Sequence, residues 1–513
     1  MESKLLLKHE VFFAGSVGLI IGTILGGLSI VPIGAIVITL ALLVSARFST
    51  IRRALALTFC LCLIAGNFYY AFDDYHYARL RQGEVESGQF TARITDDPET
   101  VILPGGEIQR VKLNISSRGH DKKQTFLADL PPDPPLIYGD NIEFTGSLEP
   151  TPVGESYGDY LAKERIHGLA RSSTVTVVGN NANPLWASLY QVKAVVRKNA
   201  NHFLNHSEAA FLIGITLGEH GQFSREFLSR LSESGTRHLI ALSGLHISII
   251  IFSALALLTP LCGGRRTTAK VLTLVLVILF VGMTGFKISA IRASLMAFLA
   301  MLARQTGRER NPANVIALAA LVITITNPKA PVFDLGFQLS FLATLGIVYF
   351  VPIIERFKFF KTIGLLGWRS ILAVTVSAQL AVAPLTIINF ENFSLTSLPT
   401  NVTILVGMPI LMTSGLILGL GGSFLGPIAG LLSLPVAFLI DYSIAIVNIA
   451  SSFKINFNPT FGRVGLILYY VGLTWLAIKF SPLKHDDKLT GKTVLRSEET
   501  ATEADGTSLL NRL

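Results

Sequence analysis

The stretch Gly235–Ile251 reads GTRHLIALSGLHISIII and places chemically active side chains within an apolar run. Ser243 and His246 are three residues apart, so a hydroxyl nucleophile and an imidazole base could share one helix face. His246 would have to bend back along its own helix to serve Ser243, and an intramembrane serine hydrolase is therefore disfavoured. A zinc site is also disfavoured, because His238 and His246 lie eight residues apart without a cysteine or a nearby carboxylate.

The same stretch favours a broken helix that lines a polar path. Polar groups in hydrocarbon cost free energy unless they are paired or face water, so His238, Ser243 and His246 are candidate path residues. Gly235 and Gly244 would allow close helix contact or a local break. The alternative is a tightly packed helix whose His and Ser side chains bond to their own neighbours.

Further polar side chains recur at membrane depth in the second half of the chain. The candidates, together with the structural glycine of one motif and a helix proline, are Lys287, Arg292, Asp334, Gly336, Gln338, Ser340, Gln379, Pro384 and Asn389. Arg292 is the costliest, at about 2.5 to 3.5 kcal/mol for insertion at a helix centre. Its guanidinium could hold a phosphate through two hydrogen bonds, or it could extend toward the membrane boundary beside Lys287.

The composition predicts a polytopic α-helical membrane protein. Half of the 513 residues are hydrophobic, only 15% are charged, and the mean hydropathy is +0.53. We attribute the net charge of +9 to arginines and lysines in the loops between apolar runs, where they mark the cytoplasmic side. The three cysteines lie in or beside apolar runs, so the polar insert has neither a disulfide framework nor a cysteine metal site. We expect no cofactor and no metal.

The apolar runs set the predicted organisation of the chain. Three precede a polar insert, at 11–28, 31–46 and 54–72, and the others are 236–260, 271–285, 288–303, 313–326, 335–354, 370–390, 398–420, 424–450 and 463–480. Arg47, Arg52 and Arg53 mark a cytoplasmic loop, so the third run delivers the insert to the periplasm. The polar tail 482–513 has a composition typical of disorder, and its side of the membrane stays open.

The insert 73–205 predicts a small β domain followed by an amphipathic helix. Short alternating runs between turn-rich links are typical of a five-stranded OB-like barrel over 73–180. The insert carries 14 Lys and Arg against 17 Asp and Glu, a balance of −3, so it is not a basic DNA-binding domain. Residues 181–205 predict an amphipathic helix on the bilayer surface, whose apolar positions lie beside Lys193, Arg197 and Lys198. The domains are therefore 1–72, 73–180, 181–205, a channel domain 206–481 and the tail 482–513.

Several motifs resemble the ComEC family, whose members are inner-membrane channels for single-stranded DNA in natural competence. Gly235–His246 closely matches that family's signature. Other matching blocks occur in the family's order along the chain: Leu217–Gly221, Arg292–Ala293, Asp334–Phe341 and Gln379–Pro384. The insert is similar to the family's OB-like periplasmic domain through Tyr138–Asp140 and Tyr160–Gly168, although Tyr157–Tyr160 replaces the usual Phe-Asp-Tyr.

The resemblance implies a membrane-embedded channel rather than an enzyme. Its expected partners are single-stranded DNA, membrane lipid, a periplasmic DNA receptor, a cytoplasmic motor ATPase and a separate nuclease, and a homo-oligomer is left open. Many relatives carry a metallo-β-lactamase-like domain, but the sequence has no His-x-His-x-Asp-His cluster. We therefore expect a channel-only member, a truncated product, or a protein that relies on a separate nuclease. The rival interpretation is a transporter or flippase for a small anionic or lipid-linked solute, since such carriers also use discontinuous helices.

Overall fold

The computed structural model describes most of the chain. The described ranges are 2–30, 50–81, 83–103, 106–115, 124–240, 242–305, 312–360, 367–390, 393–394, 396–453, 456–457 and 462–480. They form two compact units, the first built from residues up to Phe341 together with Ser394–Asn456, and the second from Leu342–Phe393 with the residues from Phe457 onward. The predicted run 31–46 and the tail 482–513 lie outside the described residues.

Long apolar helices dominate the described residues and confirm the polytopic helical class. Eight described helical segments, of which Arg237–Leu261 is interrupted, are long and apolar enough to cross a membrane: Glu10–Gly27, Ala54–Leu80, Arg237–Leu261, Arg266–Met283, Leu335–Ile354, Trp368–Asn389, Ser397–Leu425 and Pro427–Ser452. Four shorter apolar helices, His206–Leu217, Ser289–Leu299, Pro312–Thr326 and Gly465–Phe480, accompany them. The chain is therefore a multi-pass membrane protein.

The first unit contains a β domain and most of the described helices. The helices are α1 (Glu2–Gly27), α2 (Thr50–Leu80), α3 (Ser156–Lys163), α4 (Pro184–Phe203), α5 (His206–Leu217), α6 (Arg225–Glu233), α7 (Gly244–Leu261), α8 (Arg266–Met283), α9 (Ile288–Gln305), α10 (Pro312–Thr326), α11 (Ala330–Phe333), the start of α12 (Leu335–Ile354), α14 (Ser397–Leu425) and α15 (Pro427–Ser452). Helix α5 is buried over nearly its whole length, and its apolar side chains form the centre of the membrane core.

The β domain is a closed OB-like barrel of five strands, as the alternating runs predicted. A sixth strand, which was not predicted, is added to it. Its strands are β1 (Glu86–Ile94), β2 (Glu99–Leu103), β3 (Gly106–Ile115), β4 (Gln124–Leu130), β5 (Asp140–Pro150) and β6 (Gly168–Asn180). Five strands close the barrel in the order β1-β5-β6-β4-β3, because β1 also pairs with β3, and β2 extends β3 as a hairpin. Every second residue of β3 points inward, including Val111, Leu113 and Ile115.

One boundary of the insert, and the surroundings of its last helix, differ from the sequence prediction. Helix α2 continues to Leu80, so residues 73–80 belong to that helix and the strands begin at Glu86. Helix α4 packs against protein along a face that includes Lys193, Val196 and Asn199, and Asn199 Nδ2 donates to the Gly419 carbonyl at 2.8 Å. Lys193, expected on the polar face of a surface helix, is therefore buried, because carboxylates of neighbouring segments offset its charge. Apolar side chains such as Leu185 and Val192 remain exposed.

The second unit contains the end of α12, α13 (Trp368–Phe390) and α16 (Arg463–Phe480). Tyr469 and Tyr470 of α16 donate hydrogen bonds to the carbonyls of Leu380 and Ala381 on α13, at 2.7 and 3.2 Å. Pro384 lies inside α13, where it cannot supply the usual backbone donor. Two short strands, β7 (Phe393–Ser394) and β8 (Asn456–Phe457), form a two-stranded sheet.

Candidate functional site

The Gly235–Ile251 stretch forms an interrupted helical segment. Helix α6 ends at Glu233, a short 3-10 turn spans Arg237–Leu239, and α7 starts at Gly244. Gly235 has φ +68°, and a Cβ at this position would collide with the Cβ of Ser397, so both backbone conformation and packing require glycine. The predicted break is confirmed, and it lies within a segment otherwise apolar enough to span a membrane.

Ser243 and His246 are in direct contact at the start of α7. His246 Nδ1 accepts a hydrogen bond from the Ser243 backbone N–H at 3.0 Å and lies 2.8 Å from Ser243 Oγ. The imidazole is 1% exposed, and its Nε2 has no hydrogen-bond partner among the described residues. The objection that His246 would have to bend back is thus removed, because the ring does fold back over the first helical turn. His238 and Gly244 are exposed beside it in the chain.

This pair lacks two features of a serine nucleophile. The Nδ1 lone pair already receives the Ser243 N–H, so it is not reserved for the hydroxyl proton. Within the described part of the chain, no carboxylate bonds to the imidazole to orient it as the third member of a triad. The arrangement resembles a helix-capping contact more than a catalytic dyad.

Arg292 is buried against the start of α12 rather than open to a path. It is 4% exposed, its Nη1 donates to the Gly336 carbonyl at 2.9 Å, and its guanidinium carbon lies 5.6 Å from the centre of the Phe341 ring. Asp334 Oδ1 accepts from the N–H groups of Gly336 and Phe337, at 2.8 and 3.2 Å. Asp334 therefore caps the helix that Arg292 anchors.

The other predicted path residues also hold helix ends or lie within helices. Gln338 Nε2 donates to the carbonyls of Pro331 and Val332, at 3.0 and 2.8 Å, which ties α12 to α11. Ser340 is half-buried on α12. In the second unit, Gln379 is half-buried, Pro384 is buried, and Asn389 donates to the Leu385 carbonyl at 2.8 Å. The structure thus brings Ser243 into contact with His246. It also places Arg292 beside Asp334 and Gly336 at the start of α12, the helix that carries Gln338.

A charged cluster that sequence reasoning missed joins the β domain to the membrane helices. Lys193 Nζ lies 2.9 Å from Asp97 Oδ2 and 2.7 Å from Glu219 Oε1. Arg197 bonds to both oxygens of Glu219, at 2.9 Å from Nε and 2.7 Å from Nη2, and also pairs with Asp97. Glu219 belongs to a motif block, and Lys193 and Arg197 are one helical turn apart. Those two signals could have indicated the cluster.

The adjoining loop fastens strand β2 to the same place. Glu99 Oε1 accepts hydrogen bonds from the N–H groups of His220 and Gly221, both at 3.0 Å, and Ile102 N–H donates to the Gly221 carbonyl at 3.1 Å. Lys287 donates to the carbonyl of Gly218. The β domain is therefore held by backbone and charged contacts together.

Burial and charge have opposite effects on the ionisation of this cluster. Burial raises the pKa of Glu219, but the Lys193 charge and the Arg197 hydrogen bonds outweigh it and lower that pKa to about 2. Burial lowers the pKa of Lys193, yet Glu219 and Asp97 raise it by more. Burial, reinforced by the Lys287 charge, lowers the pKa of His220 to about 4. Glu219 and Lys193 are thus ionised at neutral pH, with His220 neutral beside them.

A second charged cluster holds the β domain against α2 and the segment before α12. Lys163 Nζ lies 3.6 Å from Asp334 Oδ2, and Arg165 Nη2 lies 3.1 Å from Asp73 Oδ1. Lys329 is 2% exposed, pairs with Asp74, and has two tyrosine rings about its ammonium. Asp334, predicted to line a path, therefore serves as a junction between domains.

Asp441 is another residue that the sequence reasoning passed over. It lies near the middle of α15, an apolar helix of 26 residues, and its side chain is exposed. A carboxylate at that depth is expected to face water or a polar partner rather than lipid. The sequence alone could have identified Asp441, because it is a single acidic residue in the middle of an apolar run.

The comparisons with known proteins place this arrangement in a family. A family model described as Competence protein matches residues 215–482, more than half of the chain. ComE operon protein 3 of Bacillus subtilis (strain 168) is 26% identical over 348 residues, which cover 65% of this chain and 42% of that relative. The alignment thus spans less than half of the relative's length. No solved structure gives a significant match.

The matched region contains the interrupted segment, the Glu219 block, Arg292, the Asp334 block and the α13 block, in the order that the motifs predicted. The chain belongs to the Competence protein family, which confirms its resemblance to the ComEC proteins.

Proposed function

We propose that the protein is a channel that passes single-stranded DNA across the cytoplasmic membrane during natural transformation. The observation that carries the proposal is the interruption between Leu239 and Gly244 in an apolar, membrane-length segment. Non-helical backbone at membrane depth is tolerated where it is buried in protein or lines a water-filled space. The exposed His238 and Gly244 beside this interruption favour the second situation.

The β domain is proposed to stand at the entrance of the path. Residues 73–205 face the periplasm in this proposal, because Arg52 and Arg53 at the start of α2, with Arg47 before it, mark the cytoplasmic side. One buried charged cluster and one partly exposed cluster fasten the domain to the membrane helices, so it would present incoming DNA from a fixed position. A DNA receptor outside, a motor ATPase inside and a separate nuclease complete the proposed machine.

A serine hydrolase is the second candidate, because Ser243 Oγ lies 2.8 Å from His246 Nδ1. We favour conduction, since the same nitrogen accepts the Ser243 N–H and passage of DNA makes or breaks no covalent bond. The alternative transport function is that of a carrier for a small anionic or lipid-linked solute, whose substrate would not be DNA.

The test follows labelled DNA into cells that lack the gene and into the same cells carrying it again. The proposal predicts that label bound outside is unchanged, while label in cytoplasmic single strands appears only in cells with the gene. Normal arrival of label without the gene would overturn the proposal. Loss of a small solute's uptake with normal DNA uptake would support the carrier instead.

A further inference from the structure

We infer that the loop 218–221 couples the β domain to the helix break, so that strand β2 helps to hold the backbone before α7 in place. The loop contacts β2 at one end and Leu242, which lies within the break, at the other. This inference goes beyond the proposed function, because it assigns a positioning role that does not depend on which substrate passes the break.

The first contact joins β2 to the end of the loop. Glu99 Oε1 accepts hydrogen bonds from the N–H groups of His220 and Gly221, both at 3.0 Å. The N–H of Ile102 donates to the Gly221 carbonyl at 3.1 Å. A Cβ at Gly221 would lie 2.2 Å from the carbonyl oxygen of Thr100, so the loop backbone packs directly on the strand. Strand β2 is not one of the five that close the barrel, and its outer edge is therefore free to bind the loop.

The second contact joins the start of the loop to the helix break. Gly218 has φ +70°, and a Cβ at this position would lie 2.7 Å from Cδ1 of Leu242. Leu242 is 2% exposed and immediately precedes Ser243, the residue before α7. Lys287 donates to the Gly218 carbonyl and so holds this contact from a third side. A displacement of Gly218 would therefore displace Leu242 directly.

The loop is too short and too firmly held to absorb a displacement between these contacts. Only Glu219 and His220 separate its two ends. Glu219 Oε1 lies 2.7 Å from Lys193 Nζ, and the same ammonium lies 2.9 Å from Asp97 Oδ2, two residues before β2. Energetic coupling between distant parts of a protein passes through packed and hydrogen-bonded contacts of this kind. A shift of β2 is thus transmitted along the loop to the break.

The test measures access of water to the break in the purified full-length protein in detergent, without DNA. The three native cysteines are replaced by alanine, and Leu245→Cys places a thiol beside the break, where the native side chain is 38% exposed. The rate of its modification by a water-soluble maleimide is the readout. Glu99→Ala removes the acceptor on β2, and Leu242→Ala removes the side chain at the other end. Glu107→Ala is the matched control, because Glu107 is an exposed carboxylate on the adjacent strand β3.

We expect Glu99→Ala and Leu242→Ala each to speed the modification about threefold, because each loosens one end of the loop. The double variant should be no faster than either single variant, since both substitutions interrupt the same series of contacts. Glu107→Ala should react at the parent rate. An unchanged or slower rate in Glu99→Ala would overturn the inference, and so would a double variant whose acceleration is the product of the two single effects.

Two further variants separate positioning from general loosening of the fold. Leu257→Cys lies three turns further along α7, and its modification rate should be the same with Glu99 or with alanine at position 99. Equal acceleration at both cysteines would overturn the inference. If Glu99→Ala does not accumulate, Ile102→Pro decides in its place, because it removes the N–H that bonds to the loop at a strand edge where proline is tolerated. Since no DNA is present, a failed uptake experiment would refute the proposed function alone.

Discussion

The ammonium of Lys193 lies 2.7 Å from Oε1 of Glu219, and both residues are 8% exposed. Lys193 comes from the helix that follows the β domain, whereas Glu219 follows the first helix of the membrane core. Together with Arg197 and Asp97, they join the β domain to the membrane helices through charges that have little access to water. Removing one member of such a cluster leaves the others buried without compensation.

We therefore expect Glu219→Gln to destabilise the protein by about 3 to 5 kcal/mol, the usual effect of breaking a buried pair. The measurement is the unfolding free energy, or the shift in thermal midpoint, of the purified full-length protein in detergent. Glu226→Gln is the matched control, because its pair with Arg230 is exposed and should contribute about 0 to 1 kcal/mol. Equal effects of the two substitutions would show that the Glu219 cluster does not hold the domains together.

His220 gives a prediction for the dependence of stability on pH. Its folded-state pKa is lowered to about 4, while in the unfolded chain it titrates near 6.5. Below pH 6.5 the unfolded chain therefore binds a proton that the folded protein excludes, so stability falls as the pH drops from 6.5 to 4. His220→Gln should flatten this part of the profile of thermal midpoint against pH. An unchanged slope in that variant would contradict the assignment.

The sequence was sufficient for the class of fold, the OB-like domain and the helix break, because hydropathy, alternation and glycine placement act locally. It was insufficient for the roles of single polar residues. Arg292 and Asp334 were expected to line a path, yet one donates to Gly336 and the other caps α12. Lys193 was expected at a surface, but its partners Asp97 and Glu219 are distant in sequence and only the fold brings them together.

Arg292→Ala should reduce the amount of folded protein more than the activity of each molecule. The substitution removes the donor to the Gly336 carbonyl, and a hydrogen bond from a charged group contributes about 1.5 to 3 kcal/mol. Arg292→Lys should recover part of the abundance, because it keeps the charge without the planar guanidinium. Membrane abundance and DNA uptake are measured in the same cells. Normal abundance with lost uptake would instead place Arg292 on the DNA path.

Ser243→Ala separates conduction from hydrolysis. A lost hydroxyl contact costs about 0.5 to 1.5 kcal/mol, so the variant should keep substantial uptake at normal abundance. The His246 contact with the Ser243 backbone N–H survives the substitution, so α7 should still start at Gly244. Transformation frequency corrected for membrane abundance is the measurement. Complete loss of transformation with a normal protein level would identify Ser243 as a nucleophile.

The central claim, that the strand passes the helix break, is tested most directly by photocrosslinking during uptake. A photoreactive amino acid replaces Leu245 beside the break, or Leu257 three turns further along the same helix, where the side chain is 65% exposed. Cells taking up labelled DNA are irradiated, and label attached to the protein is measured. If the strand passes the break, labelled DNA is attached at position 245 and none above background at position 257. Absence of a crosslink at position 245 in cells that are importing DNA would contradict the claim.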